Sequence, residues 1–185
     1  EKDIIKSNVV KADKNNKIKD YFFKRLIFPI FDERSNIVGF GGRCLDDSHP
    51  KYINSPESNF FQKRFLLYNL GEAKLSARKK NNILICEGYM DVISLYQRGV
   101  QSVVSPLGTA LTEEQLNLAW KFSTKPTIMF DGDKAGLRAA YKSSLMSLQL
   151  LTSSRFLQFI ILPLNYDPDS YINTHSFDQF IKILK

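Results

Sequence analysis

Short apolar runs separated by polar stretches give the back half of the chain its rhythm. Strand-like blocks fall at 83–86, 102–105, 127–130 and 156–162. Two of them, Ile83-Leu84-Ile85-Cys86 and Thr127-Ile128-Met129-Phe130, end at a carboxylate followed by glycine. Unbroken apolar runs of this length, without alternation, are the mark of strands buried on both faces of a parallel sheet. Helical patterns lie between them. Asp91–Arg98 is ended by Gly99, and Glu113–Phe122 is opened by a capping box from Thr112 to Gln115. A third helix is expected from Lys134 to Leu151, with Leu137, Ala140, Tyr141, Leu145 and Leu148 on one apolar face. Strand–helix alternation predicts an α/β fold, a parallel sheet flanked by helices.

The front half reads differently. Residues 1–20 are polar, Lys/Asn-rich and without firm period, and are expected to form a partly helical lead-in. Arg25–Phe31 and Ile37–Leu45 are strand-like runs around Glu33-Arg34-Ser35-Asn36, which implies a hairpin. Residues 46–66 mix Pro, Ser, Asn and aromatics and are expected to be a long functional loop. Phe65–Lys79 looks helical, and Asn81-Asn82 breaks it. The organisation expected is a smaller α+β subdomain over 1–80 and an α/β domain over 81–166. Residues 167–185, with the amphipathic segment Ser176–Leu184, would begin a truncated C-terminal helical subdomain.

Composition narrows the class. At 185 residues and 43% hydrophobic content the chain can hold one large or two small cores, and disorder is excluded. No apolar run approaches a membrane span. With Glu1 in place of an initiator Met and no signal peptide, an excised intracellular piece is expected. Cys44 and Cys86 form no CxxC pair, and with only His49 and His175 beside them no zinc site is expected. Cys86 reads as a small buried hydrophobe. Charge is uneven: residues 1–80 carry 17 Lys or Arg against 10 Asp or Glu, a net of +7, while residues 81–185 carry 9 against 9. A basic front and an acidic site behind it suit a protein that holds phosphates with one part and does chemistry on them with the other. The Lys-rich stretches Lys11 to Lys19 and Arg78 to Asn82 read more simply as solvated loops.

The acids carry the chemistry. Glu87-Gly88-Tyr89-Met90-Asp91 follows one strand, and Asp131-Gly132-Asp133-Lys134-Ala135-Gly136 follows another, 44 positions on (131 − 87). Taken singly they are bland. Glu after a strand is commonly a solvated loop residue, Asp-Gly-Asp is ordinary turn chemistry, and Asp91 could serve only the first turn of a helix. Taken together, at the carboxyl ends of strands where open α/β sheets bind ligands, they call for a counter-charge. Clustered hard oxygen donors suit Mg²⁺ or Mn²⁺, so metal-dependent phosphate chemistry is expected.

These two motifs resemble the signatures of the Toprim domain, shared by bacterial primases, type IA and type II topoisomerases and some repair nucleases. The run Glu87 to Val92, then Ser105-Pro106-Leu107-Gly108-Thr109-Ala110, is particularly similar to the DnaG-type primases. So are Arg25 to Ile30, Gly39-Phe40-Gly41-Gly42-Arg43 and Lys51-Tyr52-Ile53-Asn54-Ser55-Pro56. The resemblance covers residues from about 25 to 170. It implies a Toprim-type sheet behind a basic α+β subdomain, and synthesis of short RNA primers by divalent-metal-dependent nucleotidyl transfer.

By the same resemblance, Glu87, Asp131 and Asp133 are metal ligands and catalytic residues, with Asp91, Asp167 and Asp169 as supporting or additional ligands. Asp167-Pro168-Asp169 reads equally as a Pro-initiated helix start with acids in its first turn. Arg43 and Lys51 are the leading candidates for phosphate contact, followed by Arg25, Lys63, Tyr52 and Asn54. The glycines before Arg43 would let a ligand approach the backbone or would shape a strand corner. Relatives carry additional Arg ahead of Arg25 where this chain has Tyr21, Phe23 and Lys24. The implied cofactor is Mg²⁺, with Mn²⁺ able to substitute. The implied partners are a single-stranded DNA template, ribonucleoside triphosphates and, through a region outside this chain, a replicative helicase. The implied setting is the bacterial cytoplasm and nucleoid, with no membrane.

Three other readings compete. A Toprim nuclease or topoisomerase would share the acids but leave Gly39 to Arg43 and Lys51 to Pro56 unexplained. An aspartyl phosphatase at Asp131 to Asp133 fits poorly with Lys134-Ala135. A degenerate Toprim binding module would have no reason to gather intact acids.

Overall fold

In the computed structural model, which describes residues 4, 7–12, 15, 17–47, 49–108 and 110–184, the chain divides into two units, Glu1–Gln62 and Lys63–Lys185. Residues 1–3, 5, 6, 13, 14 and 16 of the expected partly helical lead-in, and Thr109 of the Ser105–Ala110 motif, lie outside the described residues. What is described of the lead-in is instead a two-stranded antiparallel ribbon, β1 (Val10–Ala12) and β2 (Ile18–Asp20).

The first unit is built on the expected hairpin. β3 (Arg25–Phe31) pairs antiparallel with β4 (Ile37–Cys44). Asp32 closes the turn: its Oδ1 accepts the N–H groups of Arg34 at 2.8 Å and Asn36 at 2.9 Å. The expected long loop over 46–66 is interrupted by β5 (Tyr52–Asn54), which adds to β4 with Arg43 opposite Tyr52. A strand of three residues shows no legible alternation, which is why the sequence pattern conceals it.

The second unit holds a five-stranded sheet in the order β10-β9-β7-β8-β6. Its strands are β6 (Leu67–Tyr68), β7 (Leu84–Ile85), β8 (Val103–Pro106), β9 (Thr127–Phe130) and β10 (Gln158–Ile161). All neighbours are parallel except the antiparallel edge strand β6. Consecutive residues of a strand face opposite sides, and here both sides are core. Ile83, Ile85, Val104, Ile128 and Phe130 pack on one face with Leu118 and Phe122. Leu84, Cys86, Val103 and Met129 pack on the other with Val92, Leu95, Ile172 and Phe180. Two-sided burial is the cause of the unbroken apolar runs.

The helices are α1 (Leu70–Lys80), α2 (Tyr89–Gln97), α3 (Glu113–Trp120), α4 (Lys134–Leu148), α5 (Pro168–Thr174) and α6 (Phe177–Ile183). The capping box at Thr112 is present, with Gln115 N–H donating to Thr112 Oγ1 at 3.2 Å. Two sequence boundaries shift. Phe65 ends a single 3-10 turn, Lys63–Phe65, Leu67–Tyr68 form β6, and α1 buries Leu70, Ala73 and Ala77, so 63–80 belongs to the second unit rather than to a front subdomain. Residues after 166 also pack into that unit, since Tyr171, Ile172 and Phe180 are in its core. A third expectation holds only at Ala140. Leu137, Tyr141, Leu145 and Leu148 are exposed, and α4 lies on the sheet through Gly136, Ala140, Ser143 and Ser147. Small residues at helical spacing let the helix come close to the strands, and the apolar period at neighbouring positions hides that pattern.

Candidate active site

Because β10, β9 and β7 are adjacent and parallel, the segments leaving their carboxyl ends emerge at one edge of the sheet. Glu87 leaves β7 just before α2. Asp131 leaves β9, and Asp133 is the N-cap of α4, its Oδ1 accepting Gly136 N–H at 2.7 Å. Asp167 follows β10 as the N-cap of α5, accepting Ser170 N–H at 2.7 Å.

Backbone contacts lock these segments together. Gly132 N–H donates to Tyr166 O at 2.8 Å, and Asn165 N–H returns to Gly132 O at 3.2 Å. The glycines are required by space. A Cβ on Gly132 would lie 1.9 Å from Pro163 O, and one on Gly136 would lie 2.2 Å from Asp131 O. Asp131 N–H reaches toward Glu87 Oε1 at a long 3.4 Å, linking the first acidic segment to the second.

Asp91 ties in the third. It is almost fully buried, and its Oδ2 accepts Gly88 N–H at 3.0 Å while its Oδ1 accepts Asp169 N–H at 3.3 Å. The helix-start reading of Asp91 therefore holds, and its second oxygen ties the start of α5 to the same edge. Asp169 in turn accepts Ser94 Oγ–H and, at 2.8 Å, Asn173 Nδ2–H. Ser94 and Asn173 escaped the sequence reading. For Asn173 the signal was there, one helical turn after Asp169, whereas Ser94 lies 75 positions from its partner.

The electrostatics follow from this crowding. Burial, followed by the charges of Glu87, Asp91, Asp167 and Asp133, pushes Asp131 up to about 7. Burial also lifts Asp91 to about 7, with Asp167 and Asp169 adding to it against the hydrogen bond from Gly88. Glu87 is raised by burial and by Asp133, against the hydrogen bond from Asp131 N–H. Cys86 is fully buried behind the acids and its thiol is pushed up, by burial first. The expectation of a core cysteine is met.

A cation fits on one observation in particular. Asp131 Oδ1 is buried and has no hydrogen-bond partner among the described residues, and such an atom needs compensation. The side chains stand apart, however: among the described residues no three His, Cys, Asp or Glu side chains converge on a point as an ion would require. The donors are all hard oxygens, as Mg²⁺ and Mn²⁺ prefer.

The candidate phosphate contacts divide. In the first unit, Arg43, His49 and Lys51 line an open recess of about 530 Å³ together with Asp46 and Asp47. Arg43 lies over the Tyr52 ring at 6.0 Å, and its buried Nε has no hydrogen-bond partner among the described residues. Arg25 is occupied otherwise: its guanidinium donates to Pro50 O at 2.9 Å, Lys51 O at 3.3 Å and Gly42 O at 3.4 Å. Asn54 O accepts the Tyr21 hydroxyl at 3.4 Å. Gly42 makes room for Phe22, whose ring a Cβ would meet at 2.7 Å, and it lies inside β4 in register with Ile27 rather than at a strand corner. Lys63 belongs to the second unit, where its carbonyl accepts Gln115 Nε2–H at 2.9 Å.

Comparison with known proteins gives consistent matches. A family model described as the N-terminal domain of the DNA primase catalytic core matches residues 1–74, and a Toprim-like model matches residues 84–172. The DNA primase of Buchnera aphidicola subsp. Acyrthosiphon pisum is 40% identical over 182 residues, 98% of this chain and 32% of the relative. That of Neisseria meningitidis serogroup B is 42% identical over 168 residues, 91% of this chain and 28% of the relative. The chain thus spans about a third of the curated relatives it matches. A solved DNA primase domain from Pseudomonas aeruginosa superposes with a TM-score of 0.94 at 38% identity, over 99% of this chain and 57% of its own. A solved DnaG primase catalytic domain bound to single-stranded DNA gives 0.91 at 35% identity, over 99% of this chain and 59% of its own. Among the described residues, no helix is long and apolar enough to cross a membrane.

Proposed function

The chain belongs to the DnaG-type primases as part of their catalytic core, and from that premise we propose that it carries the nucleotidyl-transfer site for RNA primer synthesis on single-stranded DNA. The observation that carries this reading is the buried Asp131 Oδ1, without a hydrogen-bond partner among the described residues, amid acids at the ends of three adjacent parallel strands. Glu87, Asp131 and Asp133 would hold Mg²⁺, or Mn²⁺ in its place, with Asp167 and Asp169 beside them. When bound, divalent ions activate an attacking hydroxyl oxygen and neutralise charge on the leaving phosphates.

The chain's own residues orient that chemistry. Asp133 holds its carboxylate by capping α4, and Asp91, with both oxygens engaged by backbone N–H groups, positions the start of α5 rather than offering a free donor. In the reaction a primer 3′-oxygen bonds to the α-phosphorus of a ribonucleoside triphosphate, and the bond to pyrophosphate breaks. Glu87, lifted by burial, is suited to take the hydroxyl proton if it is not itself a ligand. Arg43 and Lys51 hold phosphates of the template or nucleotide. The DNA-bound relative supports a single-stranded template for this chain. Helicase contact would lie in a region outside it.

The nuclease or topoisomerase reading is not favoured, because residues 1–74 match the primase core specifically. The test is incubation with labelled ribonucleotides, single-stranded template and Mg²⁺ or Mn²⁺. RNA that requires template, ion and Asp131 supports the proposal. Strand cleavage without polymerisation overturns it.

A further inference from the structure

Asp169 is half-buried and held more firmly than an acid in a first helical turn needs to be. Its main-chain N–H donates to Asp91 Oδ1 at 3.3 Å. Its Oδ1 accepts two side-chain donors from different helices, Ser94 Oγ–H of α2 and Asn173 Nδ2–H of α5, the latter at 2.8 Å. The amide of Asn173 is itself oriented, because its Oδ1 accepts Arg98 Nη2–H at 3.4 Å. Both side-chain donors fall on one carboxylate oxygen, and Oδ2 receives neither. The terminal torsion of an Asp side chain is normally broad. Two donors on a single oxygen narrow it and commit Oδ2 to the remaining direction.

We infer that Ser94 and Asn173 are positioning residues that aim the Asp169 carboxylate for the divalent ion. The inference rests on the reading of Asp169 as part of the ion site. Outer partners of this kind orient a ligating carboxylate, and their loss costs about 10–100-fold in metal affinity. The simpler alternative is that the two side chains only join α2 to α5, in which case they would affect stability and nothing else.

The two roles separate in one set of measurements on the intact chain. Mn²⁺ affinity is read by electron paramagnetic resonance, and the thermal midpoint is read in chelator. Ser94→Ala and Asn173→Ala, each singly, are expected to weaken Mn²⁺ binding by about 10-fold or more. Ser94→Thr keeps the hydroxyl and should retain the parent affinity. Ile172→Val, a conservative change at a core position of α5 that leaves the Ser94 and Asn173 donors in place, should lower the midpoint yet leave Mn²⁺ affinity unchanged. Should Asp169→Asn weaken binding while Ser94→Ala and Asn173→Ala do not, the positioning role is overturned and the ion site stands. If Asp169→Asn itself leaves Mn²⁺ affinity untouched, the assignment of Asp169 to the site fails, and the positioning role with it.

Discussion

Gly132 lies so close to Pro163 that a single Cβ would approach the Pro163 carbonyl oxygen to 1.9 Å. The neighbouring atoms are backbone, which cannot rotate away. This contact is what fastens the segment after β10 to the segment after β9, together with the Gly132–Tyr166 hydrogen bond of 2.8 Å. Gly132→Ala is therefore expected to cost about 1–3 kcal/mol or more through overpacking and to part Asp131 from Asp167. Gly99 provides the contrast. It has φ +98 but nothing within 4 Å of a Cβ, so Gly99→Ala should cost only the left-handed conformation, about 1–2 kcal/mol, and leave Mn²⁺ binding alone. Equal loss of binding in both variants would refute the steric account.

Asp133 serves the helix as well as the proposed ion. Its side chain caps α4, and Asn caps about as well as Asp, whereas Ala costs about 1 kcal/mol. Asp133→Asn should thus abolish metal-dependent synthesis with the thermal midpoint nearly unchanged, while Asp133→Ala loses both. Calorimetric Mn²⁺ titration beside thermal melts checks this. Metal-induced stabilisation that survives in an Asp131→Asn, Asp133→Asn double variant would sink the proposed site.

The sequence pattern reached the sheet and its acidic edge because two-sided burial leaves unbroken apolar runs such as Ile83 to Cys86. It missed what short elements and small residues decide. β5 is three residues long, and β6 is two. The buried face of α4 is made of Gly136, Ala140, Ser143 and Ser147, which no hydrophobic period reveals, while Leu137 and Tyr141 announce a face that is in fact exposed. At the site, residue types were legible but partners were not. Nothing in the spacing shows that Ser94 would meet Asp169, 75 positions away.

Arg25 and Arg43 are expected to behave differently. The Arg25 guanidinium staples the carbonyls of Pro50, Lys51 and Gly42, so Arg25→Ala should lower stability by about 1 kcal/mol. Arg43 and Lys51 line the open recess of the first unit. Arg43→Ala and Lys51→Ala should each weaken single-stranded DNA binding and shallow the log–log salt slope by about 0.7 per lost phosphate contact. Fluorescence anisotropy over a salt series reads the slope. Unchanged slopes in both variants would make these residues structural.

The raised carboxyls give the apo fold a pH dependence of definite sign. In the unfolded chain Asp131 and Asp91 ionise near their ordinary 3.8, whereas in the folded chain each is pushed up to about 7. Between those values the folded protein retains protons that the unfolded chain has released, so stability falls as pH rises. The stabilising share is complete below the ordinary value and is lost as pH climbs through about 7. Asp131→Asn removes one such group. Its melting midpoint in chelator should gain on the parent's as pH goes from 5 to 8, with the two closest at the acid end. Mn²⁺ competes with those protons, so its stabilisation of the parent should grow over the same range. A parent–variant difference that stays constant from pH 5 to 8 would show that Asp131 is not the buried acid responsible.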